Sequence, residues 1–476
     1  MLQYRKVVRD PVHGFIKLTD EEVALIDGEP LVQRLRYVKQ LGFVYLVYPT
    51  ALHTRFDHSL GVMHAASLIG ERALQQLGER DDAILRHLRV AALLHDIGHL
   101  PFSHTFEVLA EDVVRAAVKM GCVSASPARL DASTGRLHEA VSRLVVERMS
   151  DRLTRLGYDP ETVRDLLLGR GRRYRLLGSI LSGSFDADKL DYIMRDMYFT
   201  GATVGSSFTH IDLERIVENL EIEDGRFQFN EKARVNIEGY LITRYNLYRH
   251  VYLHHKTVLF TEIARSVVMD NATKCAGGLG EGAICQYLCD LARFITGNID
   301  SDEAWKITDH YFISVFMRDP RFRDLLARKP PDYVALWKRE KDFMEAVGNP
   351  AKFNEVVGAL RWPRLEALKR SLIESLNKAL VGCELSPGDL LISHAWFEPY
   401  TEDLYITTAT GPAPLSSISP FVNAIYEAWK RAPHVFMYVS RRALKRCGDR
   451  LLDRVRSELR LLVEEIGRGL ELAGRS

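Results

Sequence analysis

The run from Asp82 to Ile97 sets Ile84, Leu85, Leu88, Val90, Leu93 and Leu94 at helical spacing. So little of that helix is polar that it must be buried. It ends on His95-Asp96-Ile97-Gly98-His99. A carboxylate at the end of a buried helix costs several kcal/mol unless a cation or a dense set of donors compensates it. A divalent metal would do so, because imidazole and carboxylate are ligands that such ions accept. An adjacent His-Asp pair is weak on its own, since most such dipeptides cap helices or lie on surfaces. Here His53-Thr54-Arg55-Phe56-Asp57-His58 upstream and Asp186-Ala187-Asp188-Lys189-Leu190-Asp191-Tyr192 downstream add imidazoles and carboxylates to the pattern.

Around this core the chain reads as mainly helical. Tyr4 to Lys17 looks like a short strand pair turning at Asp10-Pro11 and His13-Gly14, and Leu31, Leu35, Val38 and Leu41 recur at helical steps. Gly121 to Gly135 has the Ser, Ala, Pro, Asp and Thr of a surface loop. Asp224-Gly225 between two short apolar runs predicts a hairpin near 219–230, and helical patterning resumes from Lys232 to Val268. Beyond about residue 300 the character changes, with strand-like runs at Leu390 to Trp396, Asp403 to Thr408 and His434 to Val439. Arg441 to Leu472 then reads as one amphipathic helix. The expected organisation is a core over 1–300 and a mixed α/β lobe over 301–476, the lobe serving subunit packing.

Composition excludes some partners. Sixty-four Lys and Arg against 63 Asp and Glu leave a formal charge of +1, so no global field draws the chain to nucleic acid or anionic lipid; nucleic-acid binding is open but has no support. The six cysteines, at 122, 275, 285, 289, 383 and 447, lack both zinc-site spacing and the density of a disulfide scaffold. They read as reduced cytosolic thiols. With no run of roughly 18 apolar residues and no signal-peptide core at the N-terminus, the expectation is a cytoplasmic protein without a membrane partner.

Six blocks carry a family resemblance: DPVHG at 10–14, QRLRYVKQLG at 33–42, HTRFDHSLGV at 53–62, HDIGHLPFSH at 95–104, DADKLDY at 186–192 and TRYNLYRHVYLHHK at 243–256. In this order they resemble the HD-domain metal-dependent phosphohydrolases. More narrowly, they are similar to the deoxynucleoside triphosphate triphosphohydrolases of the sterile-alpha-motif branch, although no sterile-alpha-motif segment is present. The resemblance implies a helical HD core with the strand pair, the hairpin and a small C-terminal lobe added.

It also implies roles. His58, His95, Asp96 and Asp188 would hold a divalent ion, whether Mn, Fe, Zn, Co, Ni or Mg. Arg55, Lys189, Tyr192 and Arg244 would meet the triphosphate, since Arg and Lys suit several phosphate oxygens at once. His104 beside Glu107 would be the acid or base, with His99 and His138 lining the phosphates or a second metal. Gln40, Leu41, Asp196 and Tyr252 match positions that hold the deoxyribose, a Leu41–Tyr252 wall excluding a 2′-hydroxyl. Tyr248 stands where the family's eukaryotic member has a histidine beside the base, which leaves base preference open. The implied reaction is release of a deoxynucleoside and inorganic triphosphate from a dNTP by a homo-oligomer, dimer or tetramer. Its activator would be GTP or dGTP, bound through Lys6, Val7, Asp27, Gln33 and Arg36, with Lys232, Asn236 and His254 at a fainter second site. An ion pair between Asp27 and Arg36 is the structural alternative.

Two further readings stand beside this one. The same metal centre could act on a nucleoside monophosphate, a cyclic nucleotide or a nucleic acid end. Alternatively, a vestigial site could serve a nucleotide-sensing or nucleic-acid-binding protein.

Overall fold

The computed structural model describes residues 2–124, 137–169, 172–183, 185–201, 211–298, 300–329, 332–358, 362–380, 382–394, 404–448 and 450–473. They are mainly helical, with three small sheets. Lys6–Asp10 and Gly14–Leu18 pair antiparallel, Lys6 opposite Leu18. Asp10 Oδ1 fixes their turn by accepting the amides of Val12 and His13 at 2.8 and 2.9 Å.

Two helices form the scaffold of the HTRFDHSLGV and HDIGHLPFSH motifs. Arg55–Gln76 starts from a capping box in which Thr54 and Asp57 satisfy each other's backbone amides, and it buries Phe56, Leu60, Val62 and Met63. Asp82–Leu94 is capped by Asp81, whose carboxylate accepts the Ile84 amide at 2.9 Å. It ends at Leu94, so His95 and Asp96 sit on the turn beyond it.

The helical spacing of Leu31 to Leu41 does not yield one helix. A short turn at Pro30–Gln33 passes into a 3-10 turn at Arg34–Tyr37, and Val38 is extended. Pairing with the segment before the Arg55 helix outcompetes helix here: Arg55 N donates to Val38 O at 2.9 Å and Gln40 N to His53 O at 3.0 Å.

The chain divides into two compact units, Met1–Leu247 with Arg265–Arg323 and Tyr400–Val422, and Tyr248–Ala264 with Asp324–Pro399 and Asn423–Ser476. The expected boundary at residue 300 therefore falls inside the first unit. The reason is aromatic packing: Phe312 lies 4.8 Å from Phe106, 4.2 Å from Phe316 and 5.5 Å from Phe102 between ring centroids. The hairpin Leu220–Glu223/Arg226–Asn230 turns at Asp224 and Gly225, both left-handed. Tyr405–Thr408 extends its sheet by pairing parallel with Arg226–Asn230, and Gly411–Pro414 follows at the edge. That run thus belongs to the first unit and not to a C-terminal lobe.

In the second unit Leu390–His394 and Tyr333–Ala335 flank Val435–Ser440, all antiparallel. Trp337, Phe343, Phe353, Leu372 and Tyr438 fill its core. The expected final helix is two, Arg441–Cys447 and Leu451–Ala473, parted at Gly448 with φ +78°. The expected helical run 232–268 is likewise broken, by a π-helical turn at Tyr248–Tyr252. Residues 395, 396 and 403 and most of the expected loop, 125–135, lie outside the described residues.

All six cysteines are paired, as Cys122–Cys289, Cys275–Cys285 and Cys383–Cys447, with Cα separations of 5.5, 5.4 and 5.3 Å. This corrects the reading as reduced thiols. Two of the pairs are 167 and 64 residues apart in sequence, so only the fold brings them together. A bridge over so long a loop constrains the unfolded chain strongly. Replacing Cys122 and Cys289 by serine is expected to lower the unfolding free energy by about 3–5 kcal/mol. Urea unfolding of the parent with and without dithiothreitol checks this, since an unchanged midpoint would mean that the bridges contribute nothing. No helix among the described residues is long and apolar enough to cross a membrane.

Candidate metal centre and second histidine cluster

The first turn of the Arg55–Gln76 helix delivers His58, the end of the Asp82–Leu94 helix delivers His95 and Asp96, and the first turn of Ala187–Thr200 delivers Asp188. His58 Nδ1 lies 2.8 Å from Asp191 Oδ2, and His95 Nδ1 lies 2.7 Å from the Ala92 carbonyl. Both rings thereby turn Nε2 inward, and each Nε2 is buried without a hydrogen-bond partner. Asp188 Oδ1 is 3.0 Å from the first Nε2 and 3.8 Å from the second; Asp96 oxygens are 3.4 and 3.3 Å away. Ligand atoms bound at about 2.0–2.1 Å around one tetrahedral ion stand roughly 3.3–3.5 Å apart. Two orphaned imidazole nitrogens facing two carboxylates at that spacing fit a divalent metal, and His58, His95 and Asp96 form a group that could hold one. Asp188 is 33% exposed, so the centre opens to solvent on its side.

Charge is concentrated here. Burial pushes the Asp96 carboxyl up, but His95, Arg55 and His99 hold it well below the usual carboxylate range. Asp188 is likewise held low by the His58 and His95 imidazoles beside it.

A second cluster adjoins the first. Glu107 Oε1 is 3.1 Å from His99 Nδ1, 3.0 Å from His104 Nδ1 and 3.1 Å from His138 Nδ1, while His99 Nε2 is 3.3 Å from Asp96 Oδ1. Burial, Arg55 and His138 pull His99 down to about 3, leaving it neutral. Burial lowers His138, but Glu107 outweighs it and raises the imidazole above its ordinary value. Burial raises Glu107, yet His138 and His104 hold it well below. His104 is 61% exposed, the one imidazole of the three open to an incoming group.

The loop between the clusters is strained and braced. Phe102 and Ser103 both take φ +57°, which costs of order 1–3 kcal/mol per residue for non-glycine side chains. Asp309 Oδ1 accepts the Phe102 amide at 2.7 Å, Ser103 Oγ donates to the Lys39 carbonyl at 2.7 Å, and Phe102 stacks on Phe43 at 4.2 Å. Gly98 lies so close to His138 O and Ser142 N that any Cβ would overlap them. Its amide donates to Ser142 Oγ at 2.8 Å, and that hydroxyl donates to the His95 carbonyl at 2.7 Å.

The other expected residues are placed as follows. Arg55 is buried, its NH1 on Asp96 and its Nε 2.9 Å from Ser103 Oγ. Lys189 Nζ donates to Asp186 and to the Gly183 carbonyl. Asp196 is buried and 2.7 Å from His53 Nε2. Gln40 and Arg244 are buried, and Leu41 and Tyr192 half-buried. Tyr248 and Tyr252 belong to the second unit, on its π-helical turn, with ring centroids 4.7 Å apart, whereas Leu41 belongs to the first.

At the N-terminal hairpin, Lys6, Asp27 and Arg36 border a cavity of about 270 Å³. Asp27 pairs with Lys6 Nζ at 3.3 Å and not with Arg36, whose guanidinium donates to Gln33 at 2.9 Å and lies 3.6 Å over the Phe56 ring. Val7 is exposed on its strand. Lys232 lies on the 3-10 turn Glu231–Ala233 and Asn236 on the helix Arg234–Leu247, while His254 falls in the second unit. Sequence reading missed Asp191 and Arg34. Arg34 is fully buried, donating at 2.9 Å to the carbonyls of Ile307 and His99 and also to that of Ile97, with its guanidinium 4.4 Å over Phe294.

The HD domain model matches residues 55–191. This chain carries an HD domain. The matched span runs from Arg55 to the Asp188–Asp191 turn and so contains all four candidate ligands. The chain is 34% identical over 320 residues to an uncharacterized protein of Methanocaldococcus jannaschii, covering 64% of this chain and 60% of that one. It is 30% identical over 418 residues to the deoxynucleoside triphosphate triphosphohydrolase SAMHD1 of Homo sapiens, covering 81% and 62%. The chain thus spans about three fifths of the length of these relatives. A solved phosphohydrolase structure from Bacteroides thetaiotaomicron shares the fold of the HD domain and its surroundings, with a TM-score of 0.67 at 22% identity over 92% of this chain and all of that one.

Proposed function

We propose that the chain is a metal-dependent phosphohydrolase acting on deoxynucleoside triphosphates, from which it releases a deoxynucleoside and inorganic triphosphate. The observation that carries this reading is the pair of buried, unpartnered Nε2 atoms of His58 and His95 facing Asp96 and Asp188. When bound there, a divalent ion supplies an acidified water and neutralises phosphoryl charge. The protein supplies the rest. Arg55, locked against Asp96, adds positive charge beside the ligands, and Lys189 can exchange its Asp186 partner for a phosphate oxygen. Tyr192 and Arg244 are assigned to the same triphosphate. Exposed His104, seated on Glu107, serves as proton donor to the departing 5′-oxygen, while His99 and His138 line its approach. Gln40, Leu41 and Asp196 are assigned to the sugar.

Similarity to SAMHD1 supports the substrate class. The cavity bordered by Lys6, Asp27 and Arg36 supports a guanine nucleotide as activator, with Val7 and Gln33 beside it. The same likeness supports a homo-oligomer. Product chromatography after incubation of dGTP, GTP and dGMP with Mn²⁺ tests the reading. The expected result is deoxyguanosine and inorganic triphosphate in equal amounts from dGTP, with GTP and dGMP turned over poorly. Pyrophosphate or stepwise release of phosphate, or preference for dGMP, would refute it.

A further inference from the structure

His58 differs from His95 in what holds its outer nitrogen. For His95 it is a neutral backbone carbonyl; for His58 it is the carboxylate of Asp191, wholly buried at 0% exposure. Asp191 is itself gripped on both oxygens. Arg195 donates to them from Nε at 2.8 Å and NH2 at 2.9 Å, and His13 Nε2 lies 2.7 Å from Oδ1. The remaining Arg195 nitrogen, NH1, reaches Asp10 Oδ2 at 2.8 Å. Asp10 and His13 belong to the turn of the N-terminal hairpin, far in sequence from any of the four candidate ligands.

Space for this assembly is built into the neighbouring helix. Gly61 sits one turn beyond His58, and a Cβ there would overlap Asp191 Oδ1 and Arg195 NH2. A buried Asp–Arg pair placed only for packing would need neither the imidazole on one side nor the hairpin on the other. Carboxylates that accept from the outer nitrogen of a ligand histidine fix its tautomer and raise its basicity.

We propose that Asp191 is the positioning residue of the metal centre. It fixes His58 with Nε2 inward, and Arg195, His13 and Asp10 fix Asp191, so the N-terminal hairpin is a working part of a centre whose ligands all lie elsewhere. The proposal rests on the reading of His58, His95, Asp96 and Asp188 as ligands.

The test is Zn²⁺ and Mn²⁺ titration of the metal-stripped full chain, with ¹⁵N-histidine NMR of the metal-free protein to read the His58 tautomer. Asp191→Asn is expected to weaken metal binding about 10–100-fold, the usual cost of losing such a partner, and to change the His58 resonances. His13→Ala is expected to weaken it less, and His13→Gln, which keeps a donor toward Asp191, to restore most of the loss. Should Asp191→Asn not fold, His13→Ala and Asp10→Asn decide the matter: weaker metal binding at an unchanged melting temperature supports the proposal, and parental affinity overturns it. If Asp191→Asn binds as the parent does with its His58 signals unmoved, the positioning role is wrong and the ligand assignment stands. If the parent takes up no metal while His95→Ala behaves identically, the ligand assignment fails and the proposal falls with it.

Discussion

Replacing His95 or Asp188 by alanine is expected to strip the metal and end hydrolysis. Each change removes one of four atoms from a centre in which the others cannot close the gap, since His58 is fixed by Asp191 and Asp96 by Arg55. Metal affinity should fall by more than about 100-fold, beyond what loss of an outer partner produces. Turnover should fall at least about 1,000-fold, equivalent to some 4 kcal/mol of lost transition-state stabilisation. The two variants differ in a useful way. Removing Asp188 leaves His58 and His95 close together with one fewer anion between them, so that variant should also lose stability, whereas His95→Ala leaves Asp96 still held by Arg55. Metal analysis of the purified proteins and dGTP turnover under excess metal check both; full activity in either would remove that residue from the ligand set.

The second large effect concerns Arg34. Burial pulls its guanidinium down to about 9, which still leaves it charged at neutral pH. Its partners are backbone carbonyls, two of them in the turn that carries His95 and Asp96. Arg34→Met fills similar volume but leaves three buried carbonyls unpaired, each costing about 1–3 kcal/mol. A loss of about 3–5 kcal/mol in urea unfolding is expected, together with weaker metal retention because the ligand turn is released. Arg34→Lys keeps the charge but not the planar fork, and should recover only part of the loss. A cost below about 1 kcal/mol for Arg34→Met would mean that the turn is held by other contacts.

Arg34 also shows where sequence reading stops. It lies within a motif, yet the helical spacing of Leu31, Leu35, Val38 and Leu41 gave Arg34 no role. Backbone pairing of Val38 and Gln40 with the 53–55 segment replaces that helix and turns the side chain inward. The His95–Asp96 pair stood out because a carboxylate is costly to bury at the end of an apolar helix, whereas the full ligand set with His58 and Asp188 was implied only by the family resemblance. Asp191 carries the same chemistry three residues from Asp188, but its service to His58 depends on a fold that joins residues 133 apart in sequence. The strand pair and the 220–230 hairpin were legible from turn residues, which act locally. The cystine pairing and the return of Tyr405–Thr408 to the Arg226–Asn230 strand were not, because nothing near either segment in sequence encodes its partner.

That returning strand has a consequence for biosynthesis. A nascent chain that has emerged only as far as residue 400 has the helices that carry His58 and Asp188 but not the two strands that complete the sheet of this unit. Until Tyr405–Pro414 arrives, the Arg226–Asn230 edge stays open to pairing with other chains. Full closure of this unit is therefore postponed until residue 414 has left the ribosome, and ribosome-bound fragments shorter than that should be more prone to aggregate than chains that include it.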